Sequence, residues 1–105
     1  MTFILAGYFK VALEELETIK NNLDEHIQNT TNEPGCLEFT VEQDSIDECV
    51  FNVFEIFKDK DAFDAHQERV KNSVWSDIMK NVERVYEKHE NKNIEGLWQE
   101  YRKTA

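Results

Sequence analysis

Two side chains, Glu55 and His66, are of the types that exchange protons near neutral pH. Glu55 lies in the run CVFNVFEIF, residues 49 to 57, and burial there would raise the pKa of its carboxyl group towards that of a useful base. His66 follows in DAFDAHQERV, and an imidazole titrates close to neutrality without help from its surroundings. A glutamate bonded to the backbone or to His66, and a histidine that only packs its helix, are the structural alternatives, which the sequence leaves open.

The two cysteines, Cys36 and Cys49, show no pattern of a metal site or a disulfide framework. They are 13 positions apart, form no CxxC pair and have no histidine at metal-binding spacing. Cys36 also lacks a basic neighbour that would lower the pKa of its thiol. We therefore expect reduced thiols, as in cytoplasmic proteins, and no bound metal.

The charge balance argues against polyanionic partners. The 105 residues carry 22 Asp and Glu against 12 Lys and Arg, a formal net charge of −10. Phosphate backbones and anionic lipid surfaces would be repelled, and no apolar run approaches the roughly 20 residues that a membrane-spanning helix needs. We expect one globular domain, residues 1–105, located in the cytoplasm, with no nucleic-acid partner and no membrane association.

The first half of the chain predicts a strand, a helix and a hairpin. FILAGYF, residues 3 to 9, is followed by a helical stripe that ends by about residue 29, before the turn NEPG. The stripe comprises Leu13, Leu16, Ile19, Leu23 and Ile27. Residues 36 to 42 then alternate apolar and polar side chains, while residues 49 to 57 are apolar on both faces, so the two runs indicate a hairpin.

The second half predicts two consecutive helices and a final element. DKDAFDAHQERV forms the first helix, and SVWSDIMKNVERVYEKH the second and longer one, with apolar residues at helical spacing. Residues 91 to 101 fit either a helix or a strand. His26 and His89 lie on or near charged helix faces and are expected to be solvated. An antiparallel sheet with helices on one face results, and its other face would be covered by a second copy, which predicts a homodimer.

Two segments taken together resemble the signature of the antibiotic biosynthesis monooxygenase family. They are EPGCLEFTVEQD, residues 33 to 44, and VFEIFKDKDAFDAH, residues 53 to 66, and the resemblance covers residues 3 to 86. It implies a ferredoxin-like α+β fold that dimerises through its sheets. It also implies a fourth strand near the C-terminus, which residues 91 to 101 would supply.

The resemblance implies a monooxygenase that needs no cofactor, neither metal nor flavin, and that oxidises a small aromatic or quinol with dioxygen. Glu55 matches the strand glutamate of the family and His66 matches the histidine of DAH, so both are candidate catalytic residues. Aromatic side chains would form the walls of the substrate pocket. The candidates are Tyr8, Phe39, Phe57 and Trp75, although Phe57 and Trp75 also fit a role in the core.

The chain departs from the family pattern at two positions. Lys71 stands where many members have a second histidine, which puts a mechanism based on two histidines in doubt. Phe57 stands where many members have tryptophan, and this disfavours haem degradation. Two other functions stay open: an isomerase of a small signalling molecule, in which Glu55 and His66 move a proton without dioxygen, or a dimeric ligand-binding module without catalysis.

Overall fold

A four-stranded antiparallel sheet carries the helices on one of its faces, as predicted, in a computed structural model that describes residues 2–90. The strand order is β2-β3-β1-β4. The elements in chain order are β1 (Phe3–Lys10), a 3-10 turn (Leu13–Glu15), α1 (Leu16–Thr31), β2 (Cys36–Gln43), β3 (Val50–Phe57), α2 (Lys60–Lys71), α3 (Val74–Ile78) and β4 (Glu83–Glu90). This is the ferredoxin-like α+β architecture, and the predicted hairpin is the β2–β3 pair.

Strand alternation divides the apolar residues of β1 and β3 between the two faces of the sheet. The helix-facing set packs with α1, α2 and α3 in the main core and comprises Phe3, Leu5, Phe9, Phe51, Val53 and Phe57. Ile4, Phe54 and Ile56 form a smaller buried cluster on the opposite face. Glu55 falls in the helix-facing series of β3, so the strand register itself directs its carboxyl group towards the main core.

The buried face of α1 differs from the predicted stripe. Leu13 is 65 % exposed because it belongs to the 3-10 turn before the helix, whereas Leu16 and Ile19 are buried. The spacing then continues through Leu23 and reaches His26, which is buried as well. The expectation that His26 is solvated was therefore wrong, and the helix also runs to residue 31, beyond the predicted end.

The prediction of one long helix from residue 73 onwards was wrong. Helix α3 ends at Ile78, and the following segment forms β4, which pairs with β1 along its whole length. The apolar residues of this segment suit the period of a helix and that of a strand. Without β4, however, one edge of β1 would have unpaired backbone groups, and Val85 and Tyr86 are good strand formers. Gly7 makes the pairing possible, because a Cβ there would overlap the carbonyl oxygen of Val85.

The fourth strand is therefore residues 83 to 90, not 91 to 101. The alternative between strand and helix for residues 91 to 101 lies outside the described residues. His89 lies on β4 rather than near a helix face, with its Nε2 3.3 Å from a carboxylate oxygen of Glu87. The predicted homodimer stays a prediction, since the structure contains a single chain. Within residues 2–90, no helix is long and apolar enough to cross a membrane.

The turn NEPG lies against the start of α2. The backbone N–H of Lys58 donates to the carbonyl of Gly35 at 2.9 Å, and a Cβ at Gly35 would overlap that of Ala62. Helix α2 begins at an N-cap aspartate, Asp59, whose carboxylate accepts from the N–H of Ala62 at 2.8 Å. The two halves of the sequence signature thus meet in space, which brings Glu33 next to α2.

Candidate active site

A small cavity lies between the helices and the sheet. Its volume is about 100 Å³, enough for several water molecules and smaller than a cavity that holds benzene. Aromatic side chains from β1, β2, α3 and β4 line it, namely Phe9, Phe39, Trp75 and Tyr86. Two imidazoles, from α1 and α2, and the side chain of Arg84 also border it, and Glu55 is the single carboxylate among the described residues that do so.

Glu55 is a buried carboxyl group with an unsatisfied oxygen. Its neighbours in the sheet are Leu5 on β1 and Phe39 on β2, and the residue is 8 % exposed. No described group forms a hydrogen bond with its Oε1 atom. Burial, and secondly the charge of Glu33, raise the pKa of Glu55 to about 8. At neutral pH the neutral acid is therefore its main form.

His66 stands between two carboxyl groups. Its Nδ1 lies 2.9 Å and 3.2 Å from the two carboxylate oxygens of Glu33, while its Nε2 lies 3.9 Å from Oε1 of Glu55. The distance from Nε2 to Oε1 is too long for a hydrogen bond. His66 and Glu55 are therefore neighbours in the cavity lining that are not bonded to each other. Burial lowers the pKa of His66, and the nearby charge of Glu33 partly opposes this effect.

Arg69 holds Glu33 from the other side. Its Nε donates to Oε2 of Glu33, and its Nη2 donates to the hydroxyl of Thr30 at 3.0 Å. Neither Glu33 nor Arg69 was among the residues predicted from the sequence. Glu33 lies in the turn NEPG, and Arg69 lies three residues after His66 on the same helix face. Glu33 is 36 positions from Arg69, and no local periodicity links residues at that separation.

His26 forms the opposite wall with Trp75. The two rings stack with centroids 4.5 Å apart and an interplanar angle of 8°, and the edge of Phe39 meets His26 at 5.4 Å. Burial, followed by the charges of His66 and Arg69, lowers the pKa of His26 to about 3. This imidazole is therefore neutral at pH 7 and serves as a flat wall. The helical spacing from Leu16 was the signal that could have identified it.

Four of the six residues predicted from the sequence lie together around the cavity: Glu55, His66, Phe39 and Trp75. Phe57 is fully buried and lies behind the cavity, with its ring 5.0 Å from that of His66. Tyr8 belongs to the opposite face of the sheet, because β1 presents Leu5 and Phe9 to the helices. Tyr8 and Phe57 are thus outside the lining.

Tyr86 is a lining residue that the sequence did not identify, because the segment around it was predicted as helix. On β4 it pairs with Gly7 and points to the helix side of the sheet. Burial and the charge of Glu55 raise the pKa of Tyr86. Its hydroxyl therefore keeps its proton. Among residues 2–90, no three His, Cys, Asp or Glu side chains are grouped to hold a metal ion.

Solved structures share this fold. A protein from Nitrosomonas europaea described as "putative antibiotic biosynthesis monooxygenase" has a TM-score of 0.76 at 20 % identity, with 88 % of this chain and 91 % of that chain covered. A protein of the same description from Deinococcus radiodurans has a TM-score of 0.70 at 20 % identity, covering 89 % and 94 %. MupZ from Pseudomonas fluorescens has a TM-score of 0.70 at 21 % identity, covering 98 % and 79 %.

The search of functionally curated proteins found no significant match. Identities of about 20 % establish the fold alone. The sequence profile of the antibiotic biosynthesis monooxygenase family, however, matches residues 2–72, which include Glu33, Glu55 and His66. These residues span more than half of the chain. The chain therefore belongs to the antibiotic biosynthesis monooxygenase family.

Proposed function

We propose that this protein is a cofactor-independent monooxygenase that oxidises a phenol or hydroquinone of a single ring with dioxygen. The observation that carries the proposal is the buried Glu55 carboxyl group, whose Oε1 has no partner among the described residues and borders an aromatic cavity. An unsatisfied buried polar atom costs about 1–3 kcal/mol, and such atoms are often retained for function. Membership of the family supports the same reaction class.

The reaction needs one acid and one base, and the two neighbours supply them. His66 is neutral at pH 7 and takes the phenolic proton at Nε2; the phenolate then reduces dioxygen, and a C–O bond forms to give a peroxide. Glu55 protonates the distal peroxide oxygen and afterwards accepts the proton of the ring C–H bond as the carbonyl forms. The O–O bond breaks, and the departing oxygen takes the proton of the imidazolium and leaves as water.

Atoms and electrons balance over these reaction steps. The ring loses one O–H and one C–H proton and gains one oxygen atom, so a phenol gives an ortho-quinone and water. The substrate supplies all four electrons that reduce dioxygen, which is why the reaction requires neither metal nor flavin. The aromatic walls keep water away from the peroxide, whose hydrolysis would otherwise compete.

Cavity size favours a small substrate. A dry cavity of about 150 Å³ accommodates benzene, and the volume here is about 100 Å³. The cavity is therefore smaller than one that holds benzene, so even a single ring requires the lining side chains to move slightly. Ligands of several fused rings, and haem, would require His26 and Trp75 to move apart.

The experiment is oxygen uptake by the metal-free protein with hydroquinones and catechols of one ring, compared with naphthohydroquinones. We expect uptake with the smaller set, release of one water per dioxygen, and a fall of at least about 100-fold in Glu55→Gln, which keeps the side-chain shape. Glu68→Gln, an exposed position on α2, is the matched control and should behave like the wild type. Spontaneous oxidation is subtracted from assays without protein.

The pH profile tests the assignment of acid and base. The rate should rise as His66 loses its proton below its ordinary pKa of 6.5, and fall as Glu55 ionises at about pH 8. Turnover of a substrate under anaerobic conditions would instead identify an isomerase. Tight binding of small phenols without any turnover would identify a ligand-binding module. Either result would overturn the monooxygenase.

A further inference from the structure

We propose that Glu33 is a positioning residue for this site: its carboxylate orients the imidazole of His66 so that the Nε2 lone pair faces the cavity and Glu55. This inference rests on the proposed function for its kinetic consequences, and on geometry for the orientation itself. Both Glu33 oxygens lie within 3.2 Å of Nδ1. A carboxylate only accepts hydrogen bonds, so Nδ1 carries the proton and Nε2 is free to accept one.

The carboxylate of Glu33 is itself held in place by the fold. The backbone N–H of Glu33 donates to the carbonyl of Thr30 at 3.0 Å, and its own carbonyl accepts from Cys36 at 3.1 Å. Arg69 donates to one carboxylate oxygen and to the hydroxyl of Thr30. Because Arg69 lies one turn after His66 on α2, one helix presents both the imidazole and the guanidinium to Glu33.

Among residues 2–90, Glu33 is the hydrogen-bond partner of Nδ1 of His66. The charged and titratable groups that face it are Glu33 from the turn after α1, Glu55 from β3, His26 from α1, and Arg69 from its own helix. Within the described part of the chain, the imidazole also contacts the rings of Phe39, Phe57 and Phe63. Glu33 also provides the opposite charge when Nε2 takes a proton. The arrangement has the logic of a carboxylate that orients a catalytic histidine.

The test is the tautomer of His66, observed by long-range ¹H–¹⁵N NMR at pH 7.5 on the full chain. We expect the wild type to show the neutral ring with the proton on Nδ1. In Glu33→Ala the population should move to the form with the proton on Nε2, and the pKa of the ring should fall, since the charge of Glu33 raises it. Glu68→Gln is the matched control and should leave the signals unchanged.

Kinetics supply the second readout. Turnover should fall about 100-fold in Glu33→Ala, with KM changed less than about threefold, because the walls that bind the ring stay in place. Glu33→Met keeps the length of the side chain, removes both acceptor oxygens and serves if Glu33→Ala fails to fold, as judged by near-UV circular dichroism. Glu33→Asp should restore part of the turnover.

Two outcomes would overturn the positioning role. One is a wild-type His66 with its proton on Nε2; the other is an unchanged tautomer and turnover in both Glu33→Ala and Glu33→Met. A wild type with the proton on Nδ1 that consumes no oxygen with any phenol would overturn the proposed function instead. In that case the orientation of His66 by Glu33 would stand, because the NMR measurement needs no substrate.

Discussion

The cavity has two buried histidines on opposite sides, His66 on α2 and His26 on α1, with ring centroids 6.3 Å apart. Both rings are less than one tenth exposed, and burial lowers the pKa of both. They differ in their partners. His66 has the carboxylate of Glu33 at Nδ1, whereas His26 stacks on Trp75 and forms no hydrogen bond with the described residues.

The difference teaches how one residue type acquires two roles at the same cavity. Desolvation, reinforced by the nearby charges of His66 and Arg69, keeps the imidazole of His26 neutral across the physiological range, where it is a flat aromatic surface. At His66, desolvation lowers the pKa of the ring although the charge of Glu33 opposes it, and the carboxylate determines which nitrogen accepts a proton. Burial therefore does not distinguish a wall from a base, whereas the hydrogen bond at the far nitrogen does.

The sharpest test of this comparison replaces each histidine with phenylalanine, which keeps a ring of similar size. His66→Phe should lower turnover at least about 100-fold because it removes the base. His26→Phe should lower kcat/KM less than about tenfold, through weaker substrate binding, because the wall is preserved. The measurement is oxygen uptake under saturating and limiting substrate. Equal losses of turnover in the two variants would contradict the different roles of the two histidines.

The low pKa of His26 should make the free energy of unfolding fall as the pH is lowered. Its pKa is about 3 in the folded protein and about 6.5 when unfolded, so the unfolded state binds more protons between these values. The stability that the neutral ring contributes is complete above pH 6.5 and declines as the pH falls towards 3, by at most about 1.4 kcal/mol per pH unit. Urea unfolding should therefore show that the free energy of unfolding falls less between pH 7 and pH 5 in His26→Phe than in the wild type.

A parallel dependence of stability on pH in the wild type and His26→Phe would contradict the low pKa of His26. The other titrating groups are present in both proteins, so their contributions cancel in the difference between the two curves. Leu16→Ala, which weakens the same helix face without changing a titratable group, is a useful control. Leu16→Ala should lower the free energy of unfolding by the same amount at every pH, so its dependence on pH should match that of the wild type.

Gly35→Ala should disturb the His66 side selectively. The new Cβ would overlap that of Ala62, so the turn that carries Glu33 and the first turn of α2 must separate, at a cost of about 1–3 kcal/mol. We expect lower turnover and a mixed tautomer of His66, with the ring stack of His26 unchanged. The double variant Gly35→Ala, Ala62→Gly provides the missing space and should recover most of the turnover. No recovery would mean that the overlap is not the cause.

The smallest effect is expected at Arg69. Arg69→Met keeps the aliphatic stem but removes the charge that lowers the pKa of both histidines, so both values should rise. This is the opposite of the change expected for His66 in Glu33→Ala. Turnover should change less than about fivefold, since a partly exposed ion pair contributes about 1 kcal/mol or less. NMR titration of the two rings measures both shifts, and a fall in either would contradict the assigned electrostatics.

Local pattern was sufficient where one period was unambiguous. Alternation along residues 36 to 42, together with the apolar run around Glu55, predicted the hairpin and the environment of the carboxyl group. Pattern failed around Val85 and Tyr86, where apolar residues suit a helix and a strand equally. There the choice was made by the unpaired edge of β1 and by the space that Gly7 leaves, which are properties of the assembled sheet.

The sequence by itself determined the α+β class, the family signature, and the presence of a buried glutamate and a helical histidine, since each depends on residues that are close together in the chain. Only the tertiary structure decided that Glu33 meets His66, 33 positions away, and that His26 completes the opposite wall. Such contacts arise because the turn after α1 lies against α2, and α1 itself packs against α3. Their geometry depends on that packing, which no local period encodes.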